Sequence, residues 1–232
     1  MTVSFSRARA QINLSAIARN YRRLSACGVP VMGVVKADAY GHGAVEIARA
    51  LRVYGADWLG VALLSEAVQL RAAGDRGRML AWLWAPGDPA LGECLELDVD
   101  VSVSSEGALA EVVAAAVHCE RRARVHIKVD TGLNRNGVAR SEWTRVFQAA
   151  ERAQQDGVID IVGMGYGEPP ADLDYLPRLE HIRRDLHTWI TVGTATAAAV
   201  CHTAGLGKRR ELHAIRSWRL LPCRQEHHTV TV

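Results

Sequence analysis

The sequence predicts an α/β protein, built as a partial (β/α)8, TIM-like barrel in which about six βα units are recognisable. Two observations predict this class. From Met1 to about Met164, short apolar runs alternate with longer segments of helical periodicity. The runs are apolar on both faces, which is typical of parallel strands covered by helices. Such a succession fits most of a barrel and also fits a doubly wound sheet, so both architectures stay open.

The units can be followed along the chain. The segment LSAIARNYRRLS predicts an opening helix, and GHGAVEIARALRVYGA and SSEGALAEVVAAAVHCE carry apolar residues at helical spacing. Ser104 or Ser105 is a candidate cap for the last of these helices, and Gly74 is a candidate terminator of LLSEAVQLRAAG. The predicted strands are VMGVV (31–35), WLGVAL (58–63), MLAWLW (79–84), VDVSVS (99–104), VHIKVD (125–130) and DIVGM (160–164).

After about Met164 the alternation stops. The segment 165–232 holds six of the nine histidines and four of the seven prolines, and it contains one plausible short strand, TWITVG. We expect two parts, an incomplete barrel over residues 1–164 and an irregular C-terminal segment over 165–232. The abrupt change suggests a shifted reading frame, a truncated or rearranged gene, or a divergent tail.

Composition excludes several classes of protein. The chain has 232 residues, of which 49% are hydrophobic and 23% charged, as expected of a globular protein. A net charge of +3 is too small to indicate a nucleic-acid or membrane partner. The five cysteines lack a C-x-x-C spacing, which argues against a zinc site and a disulfide scaffold. With no secretory signal or membrane span visible, we expect a cytoplasmic protein without a metal.

The stretch VMGVVKADAYGHG places a lysine at the end of a segment that reads as buried. On a strand, Met32, Val34 and Lys36 would share one face. A charged amine deep in an apolar layer is costly, whereas at the carboxyl end of a barrel strand it emerges where such folds carry their chemistry. A neutral amine there can condense with an aldehyde. The alternative, a solvated lysine at a strand end, stays open.

A second strand, VHIKVD, suggests a related arrangement. Its apolar residues share one face, and His126, Lys128 and Asp130 share the other, which would point into the barrel. Two interior lysines at strand ends would repel each other unless an anion lies nearby. The loop TGLNRNG then places Arg135 just beyond the strand, where it can hold a phenolate, carboxylate or phosphate. The alternative is that the polar face is a satisfied interior network.

These motifs resemble alanine racemase, a pyridoxal-phosphate enzyme that interconverts L- and D-alanine. VVKADAYGHG and KVDTGLNRNG carry the resemblance, which RARAQINLSAIARNYRRL and GADWLGVALLSEAVQLRAAG extend over about residues 7–164. It implies that Lys36 forms the internal aldimine with pyridoxal 5'-phosphate and is one of two catalytic bases. It further implies that Tyr40 binds the cofactor phosphate, that Arg135 lies near the cofactor phenolic oxygen and the substrate, and that Lys128 is N-carboxylated in some members. For His42, inside the motif, we expect a structural role.

The resemblance also implies features that are not recognisable after Met164. These are a Ser-His pair on the sixth strand, an arginine facing the pyridine nitrogen and a phosphate-binding loop. They also include a C-terminal β domain whose tyrosine is the second base across a homodimer interface. We therefore expect alanine racemase by family, supplying D-alanine for cell-wall synthesis, in a chain that is itself inactive or impaired. The alternatives are a non-catalytic pyridoxal-phosphate-binding barrel and a non-functional fragment.

Overall fold

The computed structural model describes residues 10–25, 31–130, 134, 136–166, 189–190 and 213–216. The strands are β1 (Val31–Val34), β2 (Trp58–Val61), β3 (Arg78–Ala81), β4 (Asp100–Val103), β5 (Ala123–Val129), β6 (Ile159–Tyr166), β7 (Trp189–Ile190) and β8 (His213–Arg216). The helices are α1 (Leu14–Ser25), α2 (Lys36–Gly41), α3 (Ala44–Val53), α4 (Leu64–Ala72), α5 (Leu91–Glu96), α6 (Glu106–His118) and α7 (Trp143–Gln155). A 3₁₀ turn (Arg140–Glu142) precedes α7.

All described strands belong to one parallel sheet with the order β6-β5-β4-β3-β2-β1-β8-β7. The strands from β1 to β6 follow one another without a reversal, and β6 and β7 at the two ends come within contact distance. A doubly wound sheet instead reverses its strand order at a switch point. The barrel prediction is therefore confirmed, and the doubly wound alternative is wrong.

The predicted helix signals are found in the structure. α1 spans the predicted LSAIARNYRRLS. The cap of α6 is Ser105, whose Oγ accepts a hydrogen bond of 3.1 Å from the Ala108 amide. α4 ends at Ala72, and Gly74 follows with a φ of +96°, a conformation that glycine adopts without steric cost. None of the described helices is long and apolar enough to cross a bilayer.

The strands differ from their predicted bounds at the ends, and β1 ends at Val34, one residue earlier than predicted. β2 and β3 each end earlier than the apolar runs WLGVAL and MLAWLW, so Ala62, Trp82 and Trp84 belong to the loops that follow. β6 is longer than predicted and continues to Tyr166. Beyond it, β7 lies within the predicted TWITVG, and β8 pairs with β1 in parallel register. Apolar content therefore locates a strand better than it locates the strand ends.

Side-chain alternation divides the core into two regions. Residues such as Val31, Leu59 and Val125 face outward and pack with the helices in the larger cluster. The inner cluster comprises Met32, Val34, Trp58 and Leu80, with Tyr40 and Trp82 packed against it. Alternate side chains of one strand therefore lie in two different regions, the barrel interior and the layer between the strands and the helices, as in a barrel.

The barrel interior is divided between an apolar side and a polar side. The inner positions of β1 to β3 are mainly apolar. At Gly60 a Cβ would lie 2.6 Å from Trp82 Cζ3 and 2.7 Å from Met32 Sδ, so a larger residue there would displace these side chains. The inner positions of β4 and β5 are polar, namely Asp100, Ser102, Arg124, His126 and Lys128. The two sides meet where the rings of Trp58 and His126 contact edge to face, with centroids 5.7 Å apart.

Candidate active site

Lys36 lies at the carboxyl end of the first strand, where the sequence places it. The strand ends at Val34, however, and Val35 leaves the extended conformation with φ −124° and ψ 21°. The prediction that Lys36 continues the strand face of Met32 and Val34 is therefore wrong, because Lys36 is the first residue of α2. Its half-buried side chain places Nζ over the Tyr40 ring, 5.7 Å from the centroid.

The turn that follows Lys36 is left-handed. From Ala37 to Tyr40, φ lies between 50° and 57° and ψ between 39° and 51°. For L-residues this conformation costs about 1–2 kcal/mol per residue, and it persists only where the surroundings fix it. Sequence reasoning missed this feature. Asp38 is of a type that tolerates the left-handed region, but alanine and tyrosine carry no such signal.

Side chains on both sides of the turn hold it in place. Asp38 Oδ1 accepts a hydrogen bond of 2.7 Å from the Ala44 amide, which ties the turn to the start of α3. The His42 ring donates through Nδ1 to the Ala39 carbonyl at 2.8 Å, which is the structural contact expected of this residue. The Ala37 amide donates to Glu66 Oε1 at 2.5 Å. These contacts fix the chain that carries Lys36 and Tyr40.

Lys128 occupies an inner position near the carboxyl end of β5. Its neighbour in the register is Gly165 of β6, and a Cβ at that glycine would lie 3.9 Å from Lys128 Cγ. Gly163 is likewise the register partner of His126, although the register shifts between Val125 and His126. The missing side chain at Gly165 leaves space beside Lys128. Because all described strands are parallel, Lys128 and Lys36 face the same end of the barrel.

Below Lys128, a charged network occupies the polar side of the interior. Asp100 is fully buried and accepts hydrogen bonds from Arg124 Nε at 2.6 Å, Arg78 Nη2 at 2.9 Å and His126 Nε2 at 3.1 Å. Burial alone would raise the pKa of Asp100, but the hydrogen bond from His126 and the charges of Arg124 and Arg78 outweigh it and hold the pKa below its ordinary value. Through its bond to Asp100, His126 therefore belongs to a buried charged network, whereas the expected satisfied network of His126 with Lys128 and Asp130 stays a prediction.

His126 stays neutral in this network. Burial lowers the pKa of His126, and the hydrogen bond to Asp100 and its charge, which act in the opposite direction, do not offset it. Since an ionised carboxylate only accepts, Nε2 carries the ring proton that bonds Asp100. We assign a structural role to this network, because Asp100 and Arg124 lie farther from the barrel mouth than His126, on the side away from Lys128.

This arrangement predicts a loss of stability in mild acid. Below pH about 6.5, the unfolded chain binds a proton at His126 that the folded chain does not bind, so the free energy of unfolding falls by up to about 1.4 kcal/mol per pH unit. Urea titrations from neutral pH downward should detect this slope, and His126→Gln should remove it. His118→Gln, at an exposed position in the last turn of α6, should keep it. Parallel pH profiles for wild type and His126→Gln would contradict the assignment.

The loop after β5 is closed at both ends. The Val138 amide donates a hydrogen bond to the Lys128 carbonyl at 2.7 Å, and the Asp130 amide donates to the Val138 carbonyl at 3.0 Å. Within the loop, the Asn134 amide donates to Asp130 Oδ1 at 3.1 Å. Arg135 lies outside the described residues, so its predicted site role stays a prediction. The loop ends that flank it are fixed.

Gly137 makes this closure possible. It has a φ of +132°, and a Cβ there would lie 2.5 Å from the Asp130 amide nitrogen and 2.6 Å from the Val129 carbonyl carbon. Because both neighbours are backbone atoms, Gly137→Ala is expected to lower the free energy of unfolding by about 2–3 kcal/mol, measured by urea denaturation.

Gly157 provides the matched control for this variant. It also has a positive φ, +75°, but nothing lies within 4 Å of the position that a Cβ would take there. Gly157→Ala should therefore cost only the conformational penalty, about 1 kcal/mol. Equal losses in the two variants would contradict the steric argument.

The residues at the mouth fit an aldehyde cofactor that carries a phosphate. A half-buried lysine amine can condense with an aldehyde, and a phenolic hydroxyl such as that of Tyr40 can donate to a phosphate oxygen. The Tyr40 hydroxyl is withdrawn from solvent and its ring packs on the apolar side of the interior. An amine, a phenol and an apolar wall are the groups that such a cofactor needs.

Comparisons with known proteins identify the family to which the chain is similar. The sequence model of the family described as alanine racemase, N-terminal domain, matches residues 12–204. The alanine racemase of Beutenbergia cavernae is 54% identical over 159 residues, which are 68% of this chain and 42% of that protein. The alanine racemase of Thermobifida fusca is 47% identical over 159 residues, with the same coverage of 68% and 42%. The chain thus spans less than half the length of the curated relatives that it matches.

A solved structure extends the likeness to the fold. The crystal structure of alanine racemase from D-cycloserine-producing Streptomyces lavendulae superposes with a TM-score of 0.74 at 36% identity, covering 88% of this chain and 55% of that chain. The parallel barrel and the lysine-bearing turn are therefore accompanied by sequence identity, a family match and a common fold. The chain belongs to the alanine racemase family, within which it matches the N-terminal domain.

Proposed function

We propose that this chain supplies the cofactor-binding barrel of a pyridoxal-phosphate-dependent alanine racemase, which interconverts L- and D-alanine. The single observation that supports this most strongly is the half-buried Lys36 amine, held at the barrel mouth by a left-handed turn that also carries Tyr40. A strained backbone of this kind is typical of sites where a side chain must be fixed for chemistry.

Bound pyridoxal phosphate would supply an electron sink for the bond broken at the substrate Cα. Lys36 would hold the cofactor through Nζ and, once released by the incoming amino acid, would take or return a proton at one face of Cα. The turn fixes the backbone of Lys36, so that only its side chain would move between the two roles. The apolar inner cluster beneath it would exclude water from the reacting atoms.

Three further residues complete the proposed site. Tyr40 would donate its hydroxyl hydrogen bond to the cofactor phosphate. Arg135 would bind the cofactor phenolic oxygen and the substrate carboxylate through its guanidinium. Lys128, beside the space left by Gly165, would accept N-carboxylation, which replaces its positive charge with a negative one and removes the repulsion towards Lys36.

Racemisation requires a second proton donor on the opposite face of Cα. The resemblance implies that this group is a tyrosine from a C-terminal domain, acting across a homodimer interface. Lys36 is the base that we propose for the first face. The chirality of the product therefore shows whether a proton is delivered to the second face of Cα. The decisive assay measures proton exchange at Cα and the formation of D-alanine separately.

The experiment incubates the full chain with pyridoxal phosphate and L-alanine in deuterated water, and follows α-deuterium and chirality by NMR and chiral chromatography. Deuterium incorporation together with D-alanine supports the racemase. Deuterium in L-alanine alone indicates a chain that works on one face. Cofactor binding without deuterium exchange would contradict the proposed activity and favour a non-catalytic binding protein.

A further inference from the structure

One carboxylate connects the turn that carries Lys36 to the loop after the next strand. Glu66, in the first turn of α4, accepts three main-chain hydrogen bonds. Its Oε2 accepts from the amides of Ala62 and Leu63 at 2.8 and 3.0 Å, and its Oε1 accepts from the Ala37 amide at 2.5 Å. The two oxygens thus bind two different segments of chain.

Only part of this arrangement is explained by helix capping. A glutamate at the third position of a helix commonly accepts from the amide of the cap residue, and the bond from Leu63 is of this kind. The bond from Ala37 is not, because Ala37 lies 29 residues earlier in the chain and belongs to another element. It fixes the peptide group that leaves Lys36.

The left-handed turn needs such a constraint. Ala37 adopts φ 50° and ψ 51°, a conformation that alanine does not favour, and the turn continues through three further residues of the same handedness. Without a partner for its amide, the Lys36–Ala37 peptide would be free to rotate towards the ordinary right-handed or extended regions. A charge-assisted hydrogen bond is among the stronger contacts available to prevent this.

We propose that Glu66 is a positioning residue for Lys36. Its carboxylate locks the Lys36–Ala37 peptide to the end of β2 and so fixes where the Lys36 amine is presented at the barrel mouth. The inference rests on the proposed function for its purpose, but it is tested on the backbone and the amine themselves.

Glu66→Gln tests the geometry because an amide has only one oxygen. The oxygen keeps two hydrogen bonds if it faces Ala62 and Leu63 and only one if it faces Ala37, so the first orientation is favoured. The amide nitrogen then faces the Ala37 N–H, and that bond is lost while the cap is kept. Glu111→Gln is the matched control. Glu111 is also half-buried and accepts one main-chain hydrogen bond, from the Gly87 amide at 2.8 Å, in a different loop.

Two readouts on the full chain avoid any dependence on cofactor. The first is hydrogen exchange at the Ala37 amide, which should become about tenfold faster in Glu66→Gln, the change that corresponds to about 1.4 kcal/mol. The second is the rate at which acetic anhydride labels Lys36, relative to a reference lysine peptide in the same tube. In Glu66→Gln the Lys36 labelling rate should change severalfold and approach the rate of the reference peptide, because the turn no longer fixes the amine. Glu111→Gln should change neither readout.

A rescue separates positioning from capping. Glycine adopts the left-handed region without steric cost, so Ala37→Gly in the Glu66→Gln background should return the Lys36 labelling rate towards wild type. If Glu66→Gln leaves the chain unfolded, Glu66→Asp is used instead. The shorter aspartate side chain can still cap α4, but we expect that it cannot reach the Ala37 amide as well. Unchanged Ala37 exchange and unchanged Lys36 labelling in the folded variant would overturn the proposal and leave Glu66 as a helix cap.

The outcome is independent of the proposed function. A wild-type chain that binds no pyridoxal phosphate would contradict the racemase proposal while both readouts still report on Glu66. Conversely, a chain that binds cofactor and shows no response to Glu66→Gln would contradict the positioning role alone.

Discussion

Replacing Lys36 with alanine is expected to abolish the covalent attachment of pyridoxal phosphate and to reduce deuterium exchange at alanine Cα by at least about 10²–10⁴-fold, the contribution typical of a positioned base. The reason is chemical rather than structural. Lys36 is the amine that the turn presents at the barrel mouth, and alanine can neither condense with an aldehyde nor accept a proton. The measurements are visible absorption of the cofactor-loaded chain and the NMR exchange assay.

Another lysine of the chain provides the control for this variant. The sequence contains three, Lys36, Lys128 and Lys208. Lys208→Ala should retain a borohydride-reducible adduct on the chain, because Lys208 has no place in the proposed site. A Lys36→Ala chain that still forms a saturable adduct would contradict the role of Lys36, whatever its effect on the reaction rate.

Replacing Asp100 with asparagine is expected to lower the free energy of unfolding by about 3 kcal/mol. Removing one partner of a buried ion pair typically costs about 3–5 kcal/mol, since the remaining charge is left without its counter-ion. The lower figure applies because Arg78 and Arg124 have side-chain exposures of 45% and 27% and can turn partly to solvent. Urea denaturation at neutral pH measures the loss.

Asp160→Asn is the comparison for this variant. Asp160 pairs with Arg122 at 2.8 Å, but both side chains are more than 40% exposed. A solvent-exposed pair of this kind is worth about 0–1 kcal/mol. We therefore expect a large difference between the two variants, and similar losses would mean that burial does not determine the strength of the Asp100 network.

The fold was predictable because its main signal is local. Strands covered on both faces give continuous apolar runs, and these runs located β1 to β6. Helical periodicity located α1, α3, α4 and α6. What periodicity could not decide was closure, since a barrel and a doubly wound sheet have the same βα units. That choice depends on the pairing of β8 with β1, which is a long-range contact in a segment without clear periodicity.

Sequence alternation predicted which side chains of β5 face the interior, but it did not predict the backbone conformation after Lys36. Alternation placed His126 and Lys128 on the inner face of β5, as the structure has them. The left-handed turn after Lys36 was not predictable, because its stability comes from Glu66 and from the contacts of Asp38 and His42 rather than from the propensities of its own residues. Glu66 itself reads in sequence as an ordinary helix cap.

The measurement that tests the central claim most directly is a pyridoxal-phosphate titration of the wild-type chain, followed by borohydride reduction and peptide mapping across the three lysines. We predict saturation at a single site, with the label on the peptide that contains Lys36. No saturable adduct, or label spread over Lys36, Lys128 and Lys208, would contradict the claim that the turn presents a cofactor-binding amine at the barrel mouth.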